Sequence, residues 1–256
     1  MYSAVQGVSY EERVPDINLT NFIYSYWQLK SKGNIAEAYK HRVIPDGCID
    51  VFFELENPEE NFIMGFSNSF RDFSLGRSFN VLGVCFLPVM FPFIFNTNAA
   101  DIKNSIEPLK FIAPDLCEFI RTNISPIMPY EEITDLFNTY FLGKLNSLST
   151  NVDPRFYNAV QKIIRHSGNI DIEKELDTGL SSRQLRRYFE FYIGDSPKSL
   201  SKVVRFQKIL SAKPSKQSLK HNKIYFDYGY FDQAHFIKDF KKLYGVTPAK
   251  AFEINL

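Results

Sequence analysis

The sequence predicts an α+β chain of two domains. A β-rich N-terminal barrel or sandwich trailed by helices comes first, then an all-α C-terminal half built from two helix-turn-helix units. Three observations carry this. Short aromatic and β-branched runs recur at loosely regular spacing from Phe22 to Phe86, as in antiparallel β domains. From Asn98 the apolar spacing becomes helical. Charge reverses near Asn151: residues 1–150 hold 11 Lys and Arg against 18 Asp and Glu, a net of −7, whereas residues 151–256 hold 19 against 11, a net of +8. The total of +1 is two opposite halves cancelling. A basic half can face nucleic acid or another polyanion.

The expected strands run from Phe22 to Leu29, Tyr39 to Ile44, Ile49 to Leu55, Phe62 to Phe66 and Phe79 to Phe86. Pro45, Asp46 and Gly47 make a turn, because Pro fixes φ, Asp bonds locally and Gly accepts positive φ. Asn57 to Asn61 reads as a second turn. A helix is expected from Pro114 to Ile120. Another runs from Pro129 to Leu145, with Ile133, Leu136, Phe137, Tyr140 and Phe141 on one face and Pro129 in its first turn. That apolar stripe either packs inside the chain or joins two copies. Asn146 to Asn151 is the polar connector, giving domains at residues 1–150 and 151–256.

Composition excludes several classes. With 45% apolar and 23% charged residues the chain is globular rather than disordered. No apolar run approaches the roughly 20 residues needed to span a bilayer. The longest, Val81 to Phe95, is broken by Pro88 and Pro92. The first residues lack the basic-then-apolar plan of a signal peptide, so the expected location is cytoplasmic. Cys48, Cys85 and Cys117 are far apart in sequence and form no obvious zinc set. His41 is the sole histidine of residues 1–150, so no metal and no cofactor are expected. Cys48 lies near His41, Asp46 and Asp50, which allows a thiol–imidazole site, but packing as a small apolar residue is the stronger reading. The chain is expected not to be an enzyme.

The basic half opens at Asp153 and Pro154, a cap followed by a first-turn proline. Ala159, Ile163 and Ile164 form the buried face of this helix, and Gly168 ends it. A short, partly helical stretch from Ile170 to Thr178 leads to a turn at Gly179, where Ser181 caps a helix from Ser182 to Tyr192. That helix buries Leu185 and Phe189 and shows Arg183, Arg186 and Arg187 on its other side. Gly194, Asp195, Ser196 and Pro197 break the chain before a long helix from Lys198 to Ala212. The plan then recurs: a polar stretch from Lys213 to Asn222, a short helix from Ile224 to Tyr228, a turn at Gly229, and a helix from Gln233 to Tyr244 capped by Asp232. Gly245, Val246, Thr247 and Pro248 close it. Short helix, glycine turn, capped helix, then G-x-[ST]-P is a helix-turn-helix plan used twice.

On Ser181 to Phe189, Gly194 to Lys198, Arg205-Phe206-Gln207, Gly229 to Phe240 and Gly245 to Pro248, the segment from about Asp153 to Phe252 resembles the DNA-binding region of AraC-type transcriptional regulators. More loosely, Tyr26-Trp27, Pro45-Asp46-Gly47 and Gly83 to Phe86 are similar to the cupin-like sensor half of a bacterial subgroup of these proteins. The resemblance implies a sequence-specific transcription regulator, usually an activator, whose two second helices enter successive major-groove segments. It places Ser182, Arg183, Arg186, Arg187, Gln233, Ala234, His235, Lys238 and Asp239 at base-facing positions. Lys198, Lys202, Lys241 and Lys242 are expected on phosphates. The implied partner is double-stranded DNA, with RNA polymerase, a small-molecule effector and a second copy as further candidates and no membrane. Two positions depart from the family pattern. Lys174 and Glu175 stand where Leu-Ala is usual, so either Leu176 serves instead or the first helix is shifted. Tyr225 replaces a small residue, and a bulky ring there should force a rearrangement. The alternative reading is a small-molecule-binding or enzymatic barrel whose basic half mediates protein contacts.

Overall fold

A computed structural model describes residues 7–148, 151–212 and 225–253. The stretch from Lys213 to Asn222 and the start of the short helix at Ile224 lie outside the described residues. The N-terminal part is an antiparallel six-stranded sheet with a separate two-stranded ribbon. The large sheet contains β1 (Val8–Arg13), β2 (Ile23–Ser31), β4 (Ile49–Glu54), β5 (Asn57–Met64), β7 (Asn80–Phe86) and β8 (Ile106–Pro108), in the order β1-β2-β7-β4-β5-β8. The ribbon pairs β3 (Tyr39–Val43) with β6 (Arg71–Leu75). No ladder joins the two sheets among the described residues, so the arrangement is a sandwich and not a closed barrel.

The register explains the two faces. One row across the sheet is Tyr26, Val84, Val51 and Ile63, all at most 1% exposed. It packs on Leu116, Ile120, Phe137 and Phe141 of α2 (Pro114–Asn123) and α3 (Tyr130–Asn146). The next row, Trp27, Gly83, Phe52 and Phe62, faces the ribbon. Phe52 stacks on Phe62 and meets Phe73 of the ribbon edge-on, at 5.8 and 6.3 Å. A Cβ at Gly83 would come within 2.3 Å of the Trp27 ring, so only glycine lets that indole lie flat on the sheet.

The structure corrects one expectation, refines a second and decides a third. Asn57 to Asn61 is not a turn: the hairpin turns at Leu55 and Glu56, and Asn57 already belongs to β5. Pro58 is tolerated because the register jumps between Phe53 and Glu54, so no ladder N–H is needed where it sits. Val81 to Phe95 is interrupted at Pro88, between the end of β7 and α1 (Met90–Phe95), whereas Pro92 does not break the helix. Pro92 lies in its first turn, where an N–H has no intrahelical partner. The stripe on α3 packs inside the chain, as one of the two readings had it: Ile133, Phe137 and Phe141 are at most 2% exposed, and Pro129 is the N-cap of the helix rather than a first-turn residue.

The C-terminal part comprises α4 (Pro154–Arg165), α5 (Ser182–Tyr192), α6 (Pro197–Ala212), α7 (Gln233–Tyr244) and α8 (Pro248–Glu253). Their core gathers Phe156, Ile163, Phe189, Val203, Phe206 and Phe240. It also takes in Phe66, Val89 and Met90, so the apolar core is continuous from the sheet side into the helices. No helix of the described residues is long and apolar enough to cross a membrane.

Candidate nucleic-acid interface

The first unit begins at α4. Asp153 caps it by accepting from the Arg155 N–H at 2.9 Å, and the Arg155 guanidinium holds the Asp153 carboxyl down at about 2. The first element of this unit is only a turn, closed by the Glu175 N–H on Asp171 O at 2.8 Å. Leu176 is 5% exposed in the shared core. Gly179 turns the chain at φ +67°. Ser181 and Gln184 then form a reciprocal capping box at the start of α5. Phe189 is fully buried and meets Phe156 edge-on at 5.2 Å. With that face inward, Ser182, Arg183, Arg186 and Arg187 are all exposed. Arg186 Nε pairs with Glu190 at 2.9 Å on the surface, worth under about 1 kcal/mol and readily exchanged for a phosphate or base. Arg183 and Arg187 have no ion-pair partner among the described residues. Arg187 also lines an open groove of about 500 Å³ shared with Asn96, Asn98, Gln184 and Phe191.

The second unit repeats the plan. Residues 225–229 form a turn ending at Gly229, φ +70°, where a Cβ would lie 2.0 Å from Asn169 Oδ1 of the first unit. Glycine is favoured there by its φ, while the Asn169 side chain would have to swing aside for any larger residue. Tyr225 is accommodated: its ring is 8% exposed and stacks on Phe236 at 6.3 Å. The Asp232 carboxylate accepts from the His235 N–H at 2.7 Å and starts α7, which buries Phe236, Phe240 and Leu243. Gln233, Ala234, Lys238, Lys241 and Lys242 are exposed or partly so, and His235 is half-buried. Lys198, at the start of α6, is also exposed.

Two residues expected at the interface pair with each other. Asp239 is 8% exposed, and its carboxylate sits 3.3 Å from both Lys202 Nζ and His235 Nε2. At about 3.6 residues per turn it lies about 60° from Phe236 on the helix wheel, at the edge of the core. It is paired there with Lys202, expected on a phosphate, whose side chain stays 41% exposed.

The sequence did not reveal what joins the units to each other and to the sheet domain. The Arg205 guanidinium on α6 donates to Gly168 O at 2.8 Å and Gly229 O at 2.9 Å, and lies over the Tyr230 ring at 5.1 Å. Gln207 Nε2 donates to Pro45 O at 2.6 Å. Lys103 Nζ pairs with Asp195 at 2.9 Å. Burial lifts the Asp195 carboxyl, but the Lys103 and Ser196 hydrogen bonds outweigh it and hold the group below the usual carboxylate range. Arg42 Nη1 reaches Tyr244 O at 3.3 Å, and the Phe70 N–H reaches Lys242 O at 3.4 Å. Gly194, directly after α5, packs so closely that a Cβ would lie 2.6 Å from Ala99 O. The sheet domain is thus docked at the ends of both exposed helices.

Residues 11–108 match a family described as Domain of unknown function (DUF6597), and residues 177–253 match the Helix-turn-helix domain family. No curated protein matches the chain. Among solved structures, an apo single-residue variant of ToxT from Vibrio cholerae strain SCE256 is 13% identical over 96% of each chain, with a TM-score of 0.45. ToxT from Vibrio cholerae O395 bound to (E)-4-(8-methylnaphthalen-1-yl)but-3-enoic acid is 14% identical over 98% of this chain and 100% of that one, at 0.41. With two capped helices behind glycine turns and the family match over the same residues, the segment 177–253 is a helix-turn-helix domain.

Proposed function

We propose that the protein is a sequence-specific transcription regulator that lays α5 and α7 into successive major-groove segments of one duplex, with the sheet domain controlling how they are presented. One observation carries this reading: two capped helices expose Arg183, Arg186 and Arg187 on one side and Gln233, Ala234 and Lys238 on the other, joined through α6. Arginine grips guanine O6 and N7 with two hydrogen bonds, and Gln233 can pair with adenine in the same way. Ser182 and His235 complete the base-facing set, while Lys198, Lys241 and Lys242 take phosphates. Asp239 and Lys202 act within the fold. Activation is the outcome the family resemblance implies. Control by the sheet domain is supported by its contacts with Gly194 and Asp195 behind α5 and with Lys242 and Tyr244 at the end of α7.

Titration of fluorescent duplexes, taken from pools enriched by selection, tests this. Log K should fall linearly with log salt, as counterions leave the duplex. Arg183→Ala should lose discrimination at specific bases by about 1–3 kcal/mol, whereas Lys242→Ala should weaken all sequences alike and reduce the salt slope. The reading fails if no duplex is preferred over random DNA.

A further inference from the structure

The structure brings together two cysteines that are distant in the sequence. Cys48 directly precedes β4, and Cys85 lies on β7, where it faces Asp50 across the ladder. Asp46, in the turn just before, fixes that turn by accepting from the Cys48 N–H at 2.8 Å. Cys48 Sγ, Cys85 Sγ and an Asp46 carboxylate oxygen all lie within 4.8 Å of one another. Beside them is a small cavity of about 20 Å³, lined in part by Asp46, Cys48, Ser67 and Arg71. That is room for about one water.

From this juxtaposition we infer that Asp46, Cys48 and Cys85 form a binding site for a thiophilic divalent cation of the zinc class. Zinc takes sulfur at about 2.3 Å and carboxylate oxygen at about 2.0–2.2 Å, in a tetrahedron whose ligand atoms stand about 3.3–3.8 Å apart. Closing the triad onto a metal asks for about 1 Å of movement, which rotation of the Asp46 and Cys48 side chains on their turn supplies. Two thiolates select zinc, cadmium or cobalt over magnesium and calcium, which prefer oxygen shells. The small cavity holds the fourth ligand, a water. Asp46 is exposed and Cys48 half-buried, so an ion reaches the site from outside, while Cys85 anchors it from within. On binding, both thiol protons leave to solvent, and the site carries two thiolates and one carboxylate against the 2+ ion. Next to the triad, Asp50 is oriented by Trp27 Nε1 at 2.9 Å, a side chain placed to support its neighbours.

Cobalt is the probe. Reduced, metal-free full-length protein titrated with Co²⁺ should develop a sulfur-to-cobalt charge-transfer band that saturates at one ion per chain and disappears when Zn²⁺ is added. Cys48→Ser should remove the band, and Cys117→Ser, a cysteine on α2 in the other core, should leave it unchanged. A measurement without any substitution runs beside this: Zn²⁺ should slow alkylation of Cys48, read by peptide mass spectrometry, while Cys117 labels at its usual rate. The inference is overturned by the absence of a charge-transfer band. It is equally overturned by a band that survives Cys48→Ser, or by alkylation of Cys48 at the same rate with and without zinc. None of these readouts involves DNA, so they stand apart from the regulator reading.

Discussion

Gly194 and Gly179 allow a controlled experiment on how firmly the sheet domain is docked. Both have positive φ, +86° and +67°, so either one changed to alanine incurs the left-handed penalty of about 1 kcal/mol. They differ in surroundings. Nothing lies within 4 Å of a Cβ built on Gly179, whereas on Gly194 it would meet Ala99 O at 2.6 Å and the Ala99 carbonyl carbon at 3.0 Å. Ala99 belongs to the sheet domain and the obstacle is backbone, so it cannot swing aside as a side chain can. Forcing the two apart adds an overpacking cost of about 1–3 kcal/mol. Gly179→Ala should therefore lower the thermal midpoint by about 2–4 °C, the usual shift per kcal/mol for a chain of this size. Gly194→Ala should lower it about two to four times as far. Circular dichroism melts of the two variants in one buffer are sufficient. Equal shifts would show that Ala99 does not lie against Gly194 in solution, and the docking of the sheet domain behind α5 would be wrong.

Three further outcomes are expected. Asp195→Asn should weaken the joint with Lys103 by about 1–3 kcal/mol and flatten the acid limb of stability. The native carboxyl is held below its unfolded value of about 3.9, so its contribution is present above that pH and is lost as pH falls through the lower folded value; an acid limb unchanged by the substitution would count against the ion pair. Asp239→Ala should destabilise the protein by about 1–3 kcal/mol and couple with Lys202→Ala in a double-mutant cycle, while base preference is kept. Altered preference at full stability would return Asp239 to the groove. Arg205→Ala should cost about 2–3 kcal/mol, since two carbonyls lose a charged donor; urea unfolding reads it, and a loss under about 0.5 kcal/mol would show those bonds to be dispensable.

The C-terminal units were legible because their signals are local. Ser181 with Gln184 three residues on, glycine at each turn and Pro197 or Pro248 after each second helix act within a few residues of themselves. Leu176 was identified as one of two ways to repair the first turn, and it is buried. The burial of Asp239 was not legible, because a wheel position about 60° from the core centre is decided by a partner on another helix, here Lys202. In the sheet domain, β1, β6 and β8 were missed, as Val8–Arg13 carries no alternation, Arg71–Leu75 offers only Phe73 and Leu75 as apolar residues, and Ile106–Pro108 has three residues. The docking contacts have almost no sequence signature, since Phe70 N, Pro45 O, Lys242 O and Tyr244 O are backbone groups. The Cys48 and Cys85 pairing is likewise set by the register of β4 on β7 and not by spacing along the chain.

Arg205 has a consequence for the genome rather than for the protein. By tying Gly168 O, just after α4, to Gly229 O, in the turn before α7, one guanidinium on α6 locks the first unit to the second. On the proposed reading, this makes the distance between the two recognised stretches of DNA a fixed quantity. One inserted base pair moves the second stretch by about 3.4 Å and rotates it by about 35° around the duplex. Promoters under this protein should accordingly drift freely in base identity between the two stretches, yet keep the number of intervening base pairs constant.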